Sequence, residues 1–319
     1  MNGPLNWRVA AACVVGLAAA WSALPNSLAA QDSDVRVPVL GEHRFTMPGL
    51  VQDPFVRTRV SNTLGVGEAV DIDFGTIVLP GGDTLIAING DLTFALLDFE
   101  YAHALRDWLG VWGRVSIAAR LGTDVGALLS SGVTLGTAFE LGWIAQVRET
   151  NKSLLSATVS VRNSSFTVVD LPNWVQDIID GNSANLVKST PSLRAAGGLH
   201  YAYAINDLFG VVFSGDASFG ESLRERGQEW YFAGGAGVSM DLNARTDVPL
   251  GISLGLRADS YPTVNGSQTR GWQGYALTFA YNGRDDVILS LTTEGQRVPF
   301  REDDKMTVGM VSFDMRYFF

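Results

Sequence analysis

The stretch from Asp98 to His103 is where this sequence comes nearest to a catalytic or metal-binding cluster. It contains two carboxylates, Asp98 and Glu100, followed by an imidazole, and these groups serve general acid–base catalysis and metal ligation. In an extended strand, side chains two positions apart share a face, so His103 points away from both carboxylates. The three groups cannot meet in a regular strand, and we predict neither a catalytic nor a metal site here.

Other catalytic chemistry is thinly represented in the sequence. The chain has three histidines and one cysteine, Cys13. It contains no phosphate-binding loop, no cofactor motif and no metal-ligand spacing. The sequence therefore predicts no catalytic residue, no cofactor and no metal, and a membrane-embedded hydrolase is the least favoured function.

A larger set of residues could act together through charge. Its members fall on the polar face of segments in which apolar and polar residues alternate, and they are Arg114, Arg120, Glu140, Arg162, Arg194, His200, Asp241, Arg257, Asp259, Glu294, Asp314 and Arg316. Two interpretations stay open: the charges filter solutes, or they pair and hold an interior closed, because an isolated buried charge costs several kcal/mol. We predict that Arg114, Arg120 and Arg162 lie on neighbouring strands and form a basic strip facing Glu140.

The elements that must position these charges are long strands with a two-residue period. Between Leu109 and Leu121, the odd positions are apolar or glycine and the even positions include Arg114 and Arg120. Soluble strands average roughly 5–6 residues, whereas crossing a bilayer takes roughly 9–11, which suits the longer segments found here. Aromatic residues near the segment ends fit an interfacial girdle, namely Trp108, Trp230, Tyr261, Trp272, Tyr281 and Tyr317.

Connections between these segments alternate between short and long. Short turns are predicted near 105–107, 149–152, 205–207, 243–248 and 282–285, and long loops separate them. Membrane barrels have short turns on one side and longer loops on the other. An even strand count requires a first strand within Phe55–Leu79, before the turn at Pro80–Asp83. We predict about twelve strands, with ten or fourteen as alternatives.

One segment departs from the strand pattern and predicts a short amphipathic helix. It spans residues 171–181, with Pro172 or Asn173 at its start and Gly181 at its end. It lies in the longest connection. A constriction loop folded into a pore would use Trp174, Asp177 and Ile178; a helix resting on the rim is the favoured alternative.

Composition limits the function classes. The chain carries 23 basic and 33 acidic residues, a net charge of −10, which argues against nucleic-acid binding. Its mean hydropathy of +0.14 is somewhat high for a soluble protein and far too low for a helical membrane protein. Beyond the N-terminus no apolar stretch reaches the roughly 18 residues of a spanning helix.

The N-terminus predicts a cleaved export signal. Arg8 precedes an apolar stretch from Val9 to Leu24, and small residues end at Ala30. Cleavage would remove Cys13, so the exported chain would have no thiol. Residues 31–54 contain three prolines and no periodicity, and we predict a periplasmic lead-in there.

The C-terminus carries the sharpest signal in the sequence. Positions 309, 311, 313, 315, 317 and 319 form one apolar face, and the chain ends on that face at Phe319. This pattern resembles the assembly signal of the bacterial outer-membrane β-barrel superfamily, with Phe313, Tyr317 and Phe319 as its aromatic positions. The resemblance implies location in the outer membrane and handling by the outer-membrane insertion machinery.

Together these features predict three regions: a signal peptide at 1–30, a lead-in at 31–54, and an all-β, antiparallel up-and-down membrane barrel at 55–319. The predicted partners are outer-membrane lipid, the insertion machinery and small solutes. Barrel size favours a passive channel or small-solute transporter, because about twelve strands enclose a lumen between the filled and the open barrels. A closed structural or surface-interaction barrel remains the alternative.

Overall fold

The computed structural model describes residues 37–47, 49–78, 84–120, 132–169, 171–182, 187–221, 228–260, 272–299 and 305–319. The predicted signal peptide and Tyr261 lie outside these residues. All of the described residues belong to one compact unit, Val35–Phe319.

The described part of the chain consists mostly of strands. Two short strands, β1 (Val39–Leu40) and β2 (His43–Arg44), form a small hairpin near the N-terminus. Twelve longer strands follow: β3 (Arg59–Val78), β4 (Thr84–Arg106), β5 (Leu109–Arg120), β6 (Gly132–Glu149), β7 (Ser153–Val169), β8 (Val187–Ala204), β9 (Phe209–Glu221), β10 (Gln228–Asp241), β11 (Leu250–Asp259), β12 (Trp272–Tyr281), β13 (Val287–Pro299) and β14 (Lys305–Phe318).

These twelve strands close into a single antiparallel barrel. Each strand pairs with its neighbours in sequence, and β14 pairs with β3 along their length, from Phe318 opposite Arg59 to Thr307 opposite Val70. Closure leaves no unpaired strand edge, which a membrane barrel cannot tolerate. The predicted up-and-down barrel of twelve strands is confirmed, with its first strand inside the predicted stretch.

The two faces of each strand differ as the alternation predicts. Large apolar side chains on the outer face are highly exposed, with Val159, Trp230 and Leu64 each at 60% or more. Their neighbours along the strand point inward and are largely polar or small, for example Ser160 beside Val159. An apolar exterior around a polar interior is typical of a barrel that faces lipid.

The ends of the barrel differ from each other. The chain enters β3 and leaves β14 at the end where short connections join β4 to β5, β6 to β7, β8 to β9, β10 to β11, and β12 to β13. We call this the turn end and the opposite end the loop end.

Two helices occur in the described residues: α1 (Leu171–Ile179), in the connection between β7 and β8, and α2 (Asn243–Thr246), in a short turn. The first matches the predicted amphipathic helix, and it lies close to β3, four strands away around the barrel. Neither helix is long and apolar enough to cross a membrane.

Candidate functional site

The N-terminal segment lies inside the barrel and closes its turn end. We call residues 37–57 the plug; Pro48 alone among them lies outside the described residues. At the turn end, the Val37 backbone N–H donates to the Asp285 carbonyl at 3.1 Å. Arg44 donates to the Asn282 carbonyl at 2.6 Å and pairs with the Asp285 carboxylate at 2.5 Å. These contacts fix the start of the plug to the turn between β12 and β13.

The middle of the plug docks through apolar side chains. Phe45 is fully buried, and Leu40, Met47, Val51 and Phe55 are nearly so. They pack in one cluster with inward-facing wall residues of β7, β8 and β9, namely Leu154, Ala202, Ala204 and Val212. Fully burying one large apolar side chain contributes about 1.5–3 kcal/mol, so this cluster supplies most of the docking free energy.

The plug tip crosses the lumen. A Cβ placed on Gly49 would lie 3.3 Å from the Ala276 Cβ and 3.0 Å from a Glu294 carboxylate oxygen, on β12 and β13. The Pro54 carbonyl, after the tip, accepts from the Ser156 hydroxyl on β7 at 2.6 Å. Because β13 and β7 stand on opposite sides of the barrel, the segment spans the interior from wall to wall.

An ionic cluster joins the plug to the closure of the barrel. Arg59, at the start of β3, pairs with Asp53 of the plug at 3.0 Å and with Glu100 of β4 at 2.7 Å. Asp53 also accepts from the Phe55 backbone N–H at 2.8 Å. All three charged side chains are at most one-fifth exposed. The pairing is therefore shielded from solvent screening, and losing one member would leave buried charge behind.

His43 is the titratable group at the base of the plug. Its Nδ1 lies 3.0 Å from the Asp207 carbonyl, and its Nε2 lies 3.3 Å from the Ser239 hydroxyl. That hydroxyl accepts from the Thr46 backbone N–H, which fits a neutral imidazole carrying its proton on Nδ1. Burial lowers the pKa of His43 below its usual 6.5; the hydrogen bond to Asp207 and the charges of Asp241 and Asp207 offset only part of this.

A row of inward-facing charges lies on adjacent strands. Strand pairing sets Glu100 opposite Arg114, Arg114 opposite Glu140, Glu140 opposite Arg162, and Arg162 opposite Arg194. We call these five residues the charged arc. It spans β4 to β8, and at β7 it lies farther toward the loop end than Ser156, which contacts the plug. The arc therefore lines lumen that the plug does not fill.

The members of the arc differ in their partners. The Arg114 Nε donates to both Asp98 oxygens, at 2.7 and 2.9 Å, and the Ser116 hydroxyl donates to Asp98 at 2.5 Å. Glu140 accepts from the Ser160 hydroxyl at 2.8 Å. A polar cleft of about 60 Å³ lies between Arg114, Glu140 and Arg162. Contrary to a continuous basic strip, Glu140 stands on the strand between Arg114 and Arg162, and Arg120 lies at the loop end of β5.

The remaining residues predicted to line the lumen are held in local polar contacts. Arg257 and Arg316 pair with Asp259 and Asp314 at 3.2 and 2.9 Å. Asp241 accepts from the Asn282 amide at 2.8 Å, and Glu294 accepts from Gln296 at 3.4 Å. His200 is fully buried, with its Nε2 2.8 Å from the Thr158 hydroxyl. These contacts match the interpretation of paired charges on the wall.

The predicted constriction helix is present, and its role stays a prediction. Ile178 is 52% exposed, whereas Trp174 and Asp177 are half-buried. Proximity to β3 sets α1 across part of the loop end rather than over its own strands.

Two sequence patterns with catalytic overtones have ordinary structural roles. Asp98 and Glu100 face the interior, whereas His103 stacks on Tyr101 on the other face of β4, with ring centroids 6.2 Å apart. Residues 251–255 read Gly-Ile-Ser-Leu-Gly, a serine-hydrolase pattern. A nucleophile elbow needs a sharp strand-to-helix turn, but Ser253 lies in the middle of straight strand β11 and is only 1% exposed. In the described residues, no three His, Cys, Asp or Glu side chains form a metal-binding group.

Sequence reasoning missed the residues of the plug. Asp53, His43 and Arg59 make the contacts described above, yet no periodicity or motif marks them. The sole local signal is the pair Gly41-Glu42, where Gly41 adopts a positive φ of 57° and turns β1 into β2.

No model of a known protein family matches the chain, and a comparison with curated proteins found no match either. Among solved structures, an outer membrane channel from Pseudomonas putida F1 aligns with 86% of this chain and 100% of its own, at a TM-score of 0.52 and 11% identity. The chain has the fold of a bacterial outer-membrane β-barrel. A Pseudomonas aeruginosa FadL homologue (TM-score 0.45, 9% identity, 89% of this chain and 99% of its own) and the NanC porin (0.45, 7%, 80% and 100%) are less similar.

Proposed function

We propose that this protein is a passive channel for small solutes in the outer membrane of a Gram-negative bacterium, and that the plug must leave the lumen for solutes to pass. The observation that carries the proposal is a polar lumen blocked by a segment of the chain that is attached through non-covalent contacts at its turn end. We further propose that residues 1–30 are a cleaved export signal and that the insertion machinery recognises the last strand through Phe313, Tyr317 and Phe319.

The dimensions of the barrel support passage once the plug is removed. Twelve strands spaced about 4.8 Å apart and tilted by about 40° give a backbone diameter near 24 Å, and inward side chains leave about 14 Å. A lumen of that width admits a small hydrated solute. With the plug docked, apolar side chains such as Phe45 and Met47 occupy the same space.

The plug also favours a second candidate, a permanently closed barrel whose loops serve as a surface for partners. In that case the plug is part of the structural core. Removal of the plug separates the two functions, because a barrel that is closed only by this segment should then conduct.

The test is planar-bilayer conductance of the refolded protein, compared with a variant lacking residues 38–52. Asp53 is retained in this variant so that Arg59 keeps its partner. We expect rare or small openings in the intact protein and a steady conductance at least about fivefold larger in the deletion variant, because about half of the lumen is cleared. A deletion variant that is folded, as judged by heat-modifiable gel mobility, and remains silent would establish the closed barrel instead.

Acid should loosen the plug. Above pH 6.5, His43 is neutral whether the plug is docked or released, so it contributes no pH dependence. As the pH falls below 6.5, the released histidine takes up a proton that the buried one resists, and the docked state loses stability until the pH passes the lowered pKa. We expect open probability to rise between pH 7.5 and pH 5. The variant His43→Gln, which cannot titrate, should show a flatter profile; an identical rise in both proteins would assign the effect to another group.

A further inference from the structure

We infer that Arg162 and Arg194 form a binding site for a small anionic solute that carries a carboxylate or phosphate group. We call these two residues the basic pair. The inference rests on the proposed channel for its biological role, because it names the class of solute that the lumen would hold on its way through.

The basic pair is electrostatically unbalanced. Arg162 and Arg194 are directly opposite each other on β7 and β8, and both point into the lumen. Like charges set directly opposite destabilise a sheet, so the pair needs an anion or water between its members. Arg114 and Arg194 both repel the Arg162 charge, while Glu140 and Asp98 attract it from a distance.

Arg162 lacks a direct counter-ion. Within the described ranges, no carboxylate lies within ion-pair distance of its guanidinium, and the residue is exposed to the lumen. Arg114 differs, since the Asp98 carboxylate binds it through both oxygens. Glu140, the nearest acid on the adjoining strand, already accepts from Ser160. The donors of Arg162 are therefore available to a solute.

Arg194 is held in place without being neutralised. Its guanidinium carbon lies 4.0 Å from the centroid of the Tyr231 ring, and its Nε donates to the Glu221 carbonyl at 3.4 Å. A cation–π contact and a carbonyl hydrogen bond orient a guanidinium but leave its full charge. The terminal nitrogens of Arg194 can then bind an anion together with Arg162.

Paired guanidiniums select a particular chemistry. Their planar N–H groups match the oxygens of a carboxylate or phosphate and bind them with two parallel hydrogen bonds. Because the two side chains come from adjacent strands of a rigid wall, they need no rearrangement to converge. The site lies beside the 60 Å³ cleft at Arg114, Glu140 and Arg162, in lumen beyond the plug.

A binding measurement tests the site without depending on conductance. Inorganic phosphate is titrated calorimetrically into the detergent-solubilised full chain. We expect Arg162→Gln to weaken phosphate binding about tenfold, the usual loss for one charge-assisted pair. Glu140→Gln should strengthen binding, because it removes the one adjacent negative charge. Arg148→Gln, which removes an exposed arginine at the turn end of β6, is the matched control and should bind as the parent does.

Ion selectivity then links the site to transport. In the variant lacking residues 38–52, the reversal potential across a potassium chloride gradient should shift toward cation preference with Arg162→Gln and toward anion preference with Glu140→Gln. Phosphate binding that Arg162→Gln leaves unchanged would overturn the site, whatever the barrel conducts. Phosphate binding that follows these variants in a barrel that never conducts would uphold the site and refute the channel.

Discussion

A disulfide between the plug tip and the wall is expected to hold the channel shut until it is reduced. Gly49→Cys combined with Ala276→Cys places the two Cβ atoms about 3.3 Å apart, close to the roughly 3.5–4.5 Å spacing of natural disulfides. The bond would fasten the tip at mid-lumen. We expect openings to disappear under oxidising conditions and to return when dithiothreitol is added to the bilayer chamber.

The controls separate locking from damage. Each single cysteine variant should behave like the parent under both conditions, since neither can form the bond. If processing leaves Cys13 in the chain, the single variants also reveal any bond that it makes. Persistent openings in the oxidised double variant, with the disulfide verified by mass spectrometry, would show that solutes pass while the plug stays docked. The gating role would then be rejected.

The barrel could be predicted from sequence because its physics is local and repeated. In β5, reversing the register by one residue would turn Arg114 toward lipid, at a cost of about 2–4 kcal/mol, so the alternation alone fixes which side faces inward. The terminal strand ending on Phe319 adds an independent signal. Strand ends were harder to place, since β3 and β4 continue for 20 and 23 residues, beyond what crossing a bilayer requires.

The plug could not be predicted because its contacts join residues that are far apart in sequence and follow no period. His43 meets Ser239 and Arg44 meets Asp285, and nothing in residues 37–57 alone indicates such partners. The arc was half visible for the same reason. Alternation placed Arg114, Glu140 and Arg162 on inward faces, but only the strand register sets Glu140 between the two arginines and Arg194 opposite Arg162.

Replacing Arg59 should produce the largest loss of stability of any single substitution considered. Arg59→Met keeps the length of the side chain but leaves Asp53 and Glu100 without their shared cation in a buried setting. Removing one partner of a buried ion pair costs about 3–5 kcal/mol, because an uncompensated charge stays behind. The measurement is the free energy of unfolding in detergent micelles, from tryptophan fluorescence during guanidinium titration.

A compensated variant shows whether the loss comes from stranded charge. Combining Arg59→Met with Asp53→Asn and Glu100→Gln removes all three charges, and we expect it to recover at least half of the lost stability, since neutral amides need no counter-ion. Because Asp53 belongs to the plug and Glu100 to the wall, the same single variant should also release the plug and raise conductance. An unfolding midpoint equal to that of the parent would mean that water reaches the cluster and screens it, and that the start of β3 is held by backbone pairing with β14 and β4 alone.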